Sequence, residues 1–282
     1  MQNKVAIAIP ASVVSDVPHL REKTSKVGLI GRAAAIFRID EITVFLDNPK
    51  ENQTREMNLI ARLLSYMETP QYLRRRFFKL EPELRYAGIL PPLRTAHHPL
   101  NRNASRLKKG EFREGITLST GNEGTLVDIG VEQPAIIAGN RLPPGKRVTL
   151  KISRIGARVE AELVSREDTP AYWGYCVTEG GSLREILKSG RFDCTIATSK
   201  YGVPFSDVAE EMSAAWSRSK NALVIFGAPN QGLHEIASCE GLDLESAVDF
   251  VVNTVPSQGT ETVRTEEAVI ASLAILNLRF RR

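Results

Sequence analysis

Cysteine is scarce in this chain. Cys176, Cys194 and Cys239 are its three cysteines in 282 residues, and none sits at a CxxC spacing. Histidine is almost as rare, with four. Neither a zinc site nor a disulfide framework fits such sparse, scattered ligands, so no metal is expected. Long apolar runs are missing too. The longest late one, Ala268 to Leu278, is too short for a bilayer, which needs roughly 20 residues. The apolar start, Lys4 to Val14, is interrupted by Pro10 and followed by a charged helical stretch. It reads as a first β-strand rather than a signal peptide. A cytoplasmic protein without a membrane partner is expected. The GxGxxG fingerprint and the phosphate loop with its Lys-Ser/Thr pair are absent as well. No internal repeat or low-complexity tract occurs.

Charge is present, and it is local. The net charge is only +4. Between Tyr72 and Arg113, however, eleven Lys or Arg face three Glu, a balance of +8. A block this concentrated suggests a polyanionic partner, with RNA or DNA ahead of a membrane surface. The plainer reading is a solvated basic helix face.

The periodicity alternates between strand and helix at both ends. Lys4 to Ile9 and Glu41 to Leu46 read as strands. Glu22 to Arg38 has helical spacing through Val27, Ile30, Ala34 and Phe37. Thr54 can cap a second helix through Met57, Ile60, Leu63, Leu64 and Met67. After Trp173 the rhythm resumes, with strands at Phe192–Thr198, Ala222–Phe226 and Asp249–Asn253. Helices are expected at Gly181–Lys188, Ser206–Arg218, Gly232–Ile236 and Glu266–Leu276. Such alternation predicts an α/β domain with a mostly parallel sheet.

The middle differs. Five short strands are predicted at Phe112–Thr120, Gly124–Gly130, Gln133–Ala138, Arg147–Ser153 and Arg158–Ser165, separated by Gly, Asn and Pro turns. They suit a small antiparallel β-barrel of the OB type. The expected architecture is a split α/β domain, residues 1–92 and 174–282, with a barrel domain, 93–173, inserted. From Arg113 to Ala171 there is no Phe, Tyr or Trp, and eight Lys or Arg balance eight Asp or Glu. The barrel therefore lacks a base-stacking platform. The basic segment before it, with Arg74, Arg75, Arg76, Arg102, Lys108 and Lys109, is the expected RNA-binding element.

Two loops follow late strands. One is Gly227-Ala228-Pro229-Asn230-Gln231-Gly232-Leu233. By itself it could be a plain strand-to-helix turn or a phosphate site in a nucleotide-binding enzyme. The other runs from Asn253 through Val255-Pro256-Ser257-Gln258-Gly259 to Thr262-Val263-Arg264, and opens into a helix starting Thr265-Glu266-Glu267-Ala268. Both stand at carboxyl ends of strands, where α/β sheets bind ligands. Glu266 and Glu267 read either as helix-dipole residues near a Thr265 cap or as catalysts. Arg264 is the loop's cation.

These two loops, with Leu273 and Asn277, resemble the paired motifs of SPOUT-class RNA methyltransferases. The segment Tyr86-Ala87-Gly88-Ile89-Leu90-Pro91-Pro92-Leu93 also resembles the archaeal and eukaryotic branch that carries an inserted OB-like barrel. The resemblance covers nearly the whole chain and is most specific in its last sixty residues. It implies an α/β fold closed by a trefoil knot, and a homodimer. It implies S-adenosylmethionine held by Thr198, Ser199, Gly227, Pro229, Gly232, Leu233, Asn253, Val255, Pro256, Gln258 and Thr262. Some members of the branch methylate uridine N3 in ribosomal RNA. The first helix lacks the usual Asn-Arg arrangement of ribose-methylating relatives, although Arg32 stands in that region, so a base nitrogen is favoured. In such a reaction Arg264 would stabilise the developing anion or hold phosphate, and Glu266 or Glu267 would take the proton. Alternatives are methylation of tRNA, or a noncatalytic RNA-binding or ribosome-assembly factor retaining the knot.

Overall fold

A computed structural model describes residues 3–280. The elements run β1 (Lys4–Pro10), α1 (Leu20–Ile36), β2 (Glu41–Leu46), α2 (Thr54–Glu68) and α3 (Gln71–Phe77). Next come β3 (Phe112–Gly121), β4 (Gly124–Asp128), β5 (Ala135–Ala138), β6 (Arg147–Ile155) and β7 (Val159–Val164). The chain then forms β8 (Cys176–Ser182), α4 (Leu183–Lys188), β9 (Cys194–Pro204), α5 (Phe205–Arg218) and β10 (Asn221–Ile225). It closes with α6 (Leu233–Cys239), α7 (Leu244–Ala247), β11 (Phe250–Asn253) and α8 (Thr265–Arg279).

Two compact units result. Among the described residues, the first takes 3–67, Pro82–Pro92 and 175–280; the second takes Glu68–Glu81 and Leu93–Gly174. In the first, six strands form a parallel sheet in the order β11-β9-β10-β1-β2-β8. β1 is buried at every position after Lys4, as a central parallel strand covered on both faces must be. One face carries Ala6, Ala8, Leu223 and Ile225 against Leu233, Ile236 and Leu244. The returning segment Pro82–Pro92 lies along α1. Arg32 donates to the Pro92 carbonyl at 2.8 Å, and a Cβ on Gly28 would sit 2.9 Å from the Pro91 ring. Arg32 thus has a structural partner in its own unit.

β8 is not apparent from sequence. Cys-Val-Thr-Glu-Gly-Gly-Ser is half exposed and carries two glycines, but pairing with β2 makes it a parallel edge strand. β9 and β11 lose register between Val251 and Val252, whose partners are Ala197 and Val203. The intervening residues of β9 bulge out beside the carboxyl end of the sheet. Gly202 permits this, because a Cβ there would lie 2.7 Å from the Val251 carbonyl oxygen.

The second unit is built on a closed barrel, β3-β4-β5-β7-β6. It is not wholly antiparallel: β5 and β7 pair in parallel. Val127, Ile129, Ile137, Leu150, Ile152 and Val159 fill it, and Ala104 and Leu107 of the basic segment join the same core. α3, expected with the α/β part, belongs to this unit. The Tyr72 ring lies against Gly130, which has φ +80° and no room for a Cβ, and the Tyr72 hydroxyl donates to the Glu114 carbonyl at 2.8 Å.

Beneath lies a buried ionic knot of side chains. Glu68 accepts from Arg147 at 2.6 and 3.1 Å and from Arg166 at 2.9 Å. Arg147 also bonds Glu114 at 2.6 Å, and Trp173 Nε1 donates to Glu114 at 2.6 Å. Burial alone would raise the Glu68 pKa. The His97 hydrogen bond and the Arg147 charge outweigh it and hold the carboxyl far below the usual range.

Candidate active site

Three neighbouring strands of the first unit, β9, β10 and β11, deliver their following segments to one cavity of about 280 Å³. Thr198, Ser199, Lys200 and Tyr201 come from the β9 bulge, Gly227 to Glu235 follow β10, and Asn253, Thr254, Val255, Gln258, Thr262, Val263, Thr265 and Ala268 follow β11. Parallel strands make this convergence unavoidable, since all their carboxyl ends open on the same side.

Each loop is held by its own polar side chains. Thr198 Oγ1 donates to the Ile225 carbonyl at 2.9 Å. Asn253 Nδ2 donates to the Lys200 carbonyl at 3.0 Å, while its Oδ1 accepts from Val255 N at 2.9 Å. Gln258 Nε2 spans the loop to the Thr260 and Glu261 carbonyls at 2.8 and 3.0 Å. Ser257 takes a left-handed φ of 58°, which a non-glycine residue adopts uncommonly. Thr254 and Ser272 share a buried 2.7 Å hydroxyl–hydroxyl bond that fastens the loop to α8.

Ten of the eleven residues expected to hold a cofactor line this cavity: Thr198, Ser199, Gly227, Pro229, Gly232, Leu233, Asn253, Val255, Gln258 and Thr262. Pro256 does not; it points to solvent beside Ser257. Thr265 is not the helix cap. It is the first residue of α8, and its hydroxyl crosses to the Gly227 carbonyl at 2.9 Å.

The three candidate catalysts stand outside the lining. Glu266 is 7% exposed, with a carboxylate oxygen 3.3 Å from Lys26 Nζ. Lys26 in turn binds Asp16 at 2.6 Å. Glu267 accepts from the Arg264 backbone N–H at 3.0 Å, which caps α8. Glu267 therefore caps the helix start, and Glu266 pairs with Lys26 of α1. The exposed Arg264 guanidinium makes no hydrogen bond or ion pair among the described residues.

Sequence reasoning missed four residues here. His234 lines the cavity between Ser199, whose Oγ is 3.4 Å from Nδ1, and Glu245, whose Oε1 is 3.2 Å from Nε2. Tyr201 is 77% exposed at the rim, with its ring edge to His234 at 6.4 Å and Lys200 Nζ 5.1 Å away. The available signal was one of four histidines, placed two residues after Gly232 at a helix start.

The basic candidates lie in the second unit. Arg75, Arg76, Arg102, Lys108 and Lys109 are exposed; Arg76 leans toward Asp128 at 3.4 Å. Arg74 is half-buried and donates to the Thr69 carbonyl at 3.0 Å. Ala104 and Leu107 anchor the 102–109 stretch in the barrel core, so its intervening cations face water. Among the described residues, no helix is long and apolar enough to cross a membrane.

The chain combines a parallel α/β sheet, whose carboxyl ends carry a loop-lined cavity, with a closed barrel that has a basic flank. Residues 4–276 match the family model described as "Putative RNA methyltransferase", and the chain belongs to that RNA methyltransferase family. It is 35% identical to the human 28S rRNA (uridine-N(3))-methyltransferase, over 96% of this chain and 77% of the human one. The enzyme of the same name from Drosophila melanogaster is 33% identical, over 96% and 61%. An uncharacterized protein of Halobacterium salinarum is 35% identical, over 97% and 98%.

Proposed function

We propose that this protein transfers the methyl group of S-adenosylmethionine to N3 of a uridine in ribosomal RNA. The observation that carries the reading is the cavity built by three loops and fastened by Thr265 to Gly227. Its volume of about 280 Å³ is near the lower end of small-molecule pockets, roughly 300 Å³. Its lining suits the cofactor. Small residues leave main-chain amides and carbonyls accessible, and the space beside Gly232 is open where a Cβ would stand. The names of the human and Drosophila relatives support uridine N3 and ribosomal RNA as the target.

When bound, S-adenosylmethionine supplies an electrophilic methyl on a sulfonium. The protein then works largely by positioning. Gly227, Gly232, Val255 and Gln258 hold the donor, and the exposed Arg264 meets the RNA anion. Arg75, Arg76, Arg102, Lys108 and Lys109 bind phosphates.

We assign the unit of residues up to 67, 82–92 and from 175 to the methyltransferase domain, and the unit of 68–81 and 93–174 to the inserted one. The barrel order with a single parallel pair supports an OB-type barrel. The closing segment folding back onto Gly227, and α8 packing on α1, support a knotted terminus. Leu29 and Ile36 on α1, and Ile270 and Leu278 on α8, are exposed apolar side chains that a second copy would cover in a homodimer. Calorimetric titration with S-adenosylmethionine tests the reading: binding at one site per chain is expected, and no binding would refute it.

A further inference from the structure

The proposed reaction needs a group to take the N3 proton, because an imide nitrogen is a poor nucleophile until it loses that proton. The glutamates of α8 do not line the cavity. Among the side chains that do, Glu235 is occupied, accepting from Gly232 N at 3.1 Å, and Lys200 is a cation beside the Tyr201 ring. His234 is left, and imidazole is the side chain suited to exchanging protons near neutral pH.

We propose that Ser199, His234 and Glu245 form the proton relay of this site, an inference resting on the methyltransferase reading above. The Tyr201 amide donates to Ser199 Oγ at 3.2 Å, leaving the hydroxyl proton free to turn toward His234 Nδ1, 3.4 Å away. Glu245, on α7, stands 3.2 Å from Nε2. Its carboxylate accepts the Nε2 proton and so fixes the tautomer in which Nδ1 is the acceptor. The groups facing the imidazole are then Glu245 from α7, Ser199, Lys200 and Tyr201 from β9, and Glu235 on its own helix.

The step balances without another reagent. The N3–H bond breaks and its proton passes to Ser199 Oγ, while the Ser199 hydroxyl proton passes to Nδ1. The N3 electron pair forms the N3–CH₃ bond, and the sulfur–methyl bond breaks with its pair left on sulfur. The imidazolium is stabilised by Glu245. At 37% side-chain exposure His234 can return the proton to water.

The test uses the full-length protein, ribosomal RNA and S-adenosylmethionine, with the variants His234→Gln, Ser199→Ala and Glu245→Gln. Relay function predicts that His234→Gln lowers kcat at pH 7 on the order of 100-fold. The deficit should shrink as pH rises and hydroxide takes over the N3 proton. Ser199→Ala should show the same pH signature. Glu245→Gln should lower kcat with the same pH signature, while leaving S-adenosylmethionine binding intact by calorimetry. A wild-type pH–rate profile in His234→Gln or Ser199→Ala, with cofactor binding retained, would overturn the relay alone. A wild-type pH–rate profile in Glu245→Gln would overturn the role of Glu245. Failure of the wild-type protein to bind the cofactor would overturn the cavity reading and the relay together.

Discussion

The hydroxyl of Thr265 donates to the carbonyl oxygen of Gly227 across 2.9 Å. This one bond joins the first turn of α8 to the residue where the chain leaves β10, thirty-eight positions earlier. It closes the cavity on the side where the two glycine-bearing loops meet. A part-buried neutral hydrogen bond of this kind contributes about 1 kcal/mol. Its larger effect is to set the spacing of the loops.

Thr265→Val keeps the side-chain shape and removes the donor. It should cost about 1 kcal/mol of stability, read from urea unfolding. S-adenosylmethionine affinity should fall about fivefold by calorimetry. Affinity unchanged within error would show that the tie does not shape the site.

The exposed cations of the second unit should set the salt dependence of RNA binding. Replacing Arg75, Arg76, Lys108 and Lys109 together with Gln removes four charges. If each meets a phosphate, the slope of log K against log salt drops by roughly 3. Arg74→Gln should instead act on stability, because its Nε is committed to the Thr69 carbonyl. Filter binding at several salt concentrations reads the first effect, and thermal unfolding the second.

Acid should unfold the barrel unit in two stages. Burial, with His97 beside it, lowers the His98 pKa to about 4. The folded unit holds this side chain neutral, while the unfolded chain protonates it near pH 6.5. Its contribution is complete above about pH 6.5 and is lost as pH falls through about 4, a loss on the order of 3 kcal/mol. Glu68, held well below the usual carboxylate range, adds a further loss once pH passes below about 4.5. Urea midpoints between pH 7 and pH 4 should show the first slope, and His98→Gln should flatten it.

Removing one partner of a buried ion pair leaves the others uncompensated, at a cost of about 3–5 kcal/mol. Glu68→Gln should therefore destabilise the barrel unit by about that amount. Arg147 would keep Glu114, and Arg166 would keep the Trp173 carbonyl. The comparison is its urea denaturation curve against that of the wild-type protein.

Much of this molecule is legible from residue patterns, and the rest has physical reasons for being hidden. The barrel strands are bounded by Gly, Asn and Pro turns, which act locally and so can be read locally. The parallel β5–β7 pair and the position of α3 depend on nonlocal contacts, Tyr72 on Gly130 among them. β8 carries two glycines and half-exposed residues, so its strand state comes from β2 rather than from its own propensity. At the site, glycines and small polar residues mark the two loops. His234 is marked locally only by its place two residues after Gly232; its partner Ser199 is not legible, because it reaches the imidazole only where β9 bulges between Ala197 and Val203. Glu266 and Glu267 are legible as helix-start residues; the partner Lys26, far away in sequence, is not.

The central claim is methyl transfer to uridine N3. The most direct measurement incubates the purified protein with unmodified ribosomal RNA and S-adenosylmethionine carrying an isotopically labelled methyl, then separates the nucleosides by mass spectrometry. The label should appear in 3-methyluridine and depend on the intact cavity. Label in a 2′-O-methylated nucleoside, or none in RNA despite bound cofactor, would contradict it.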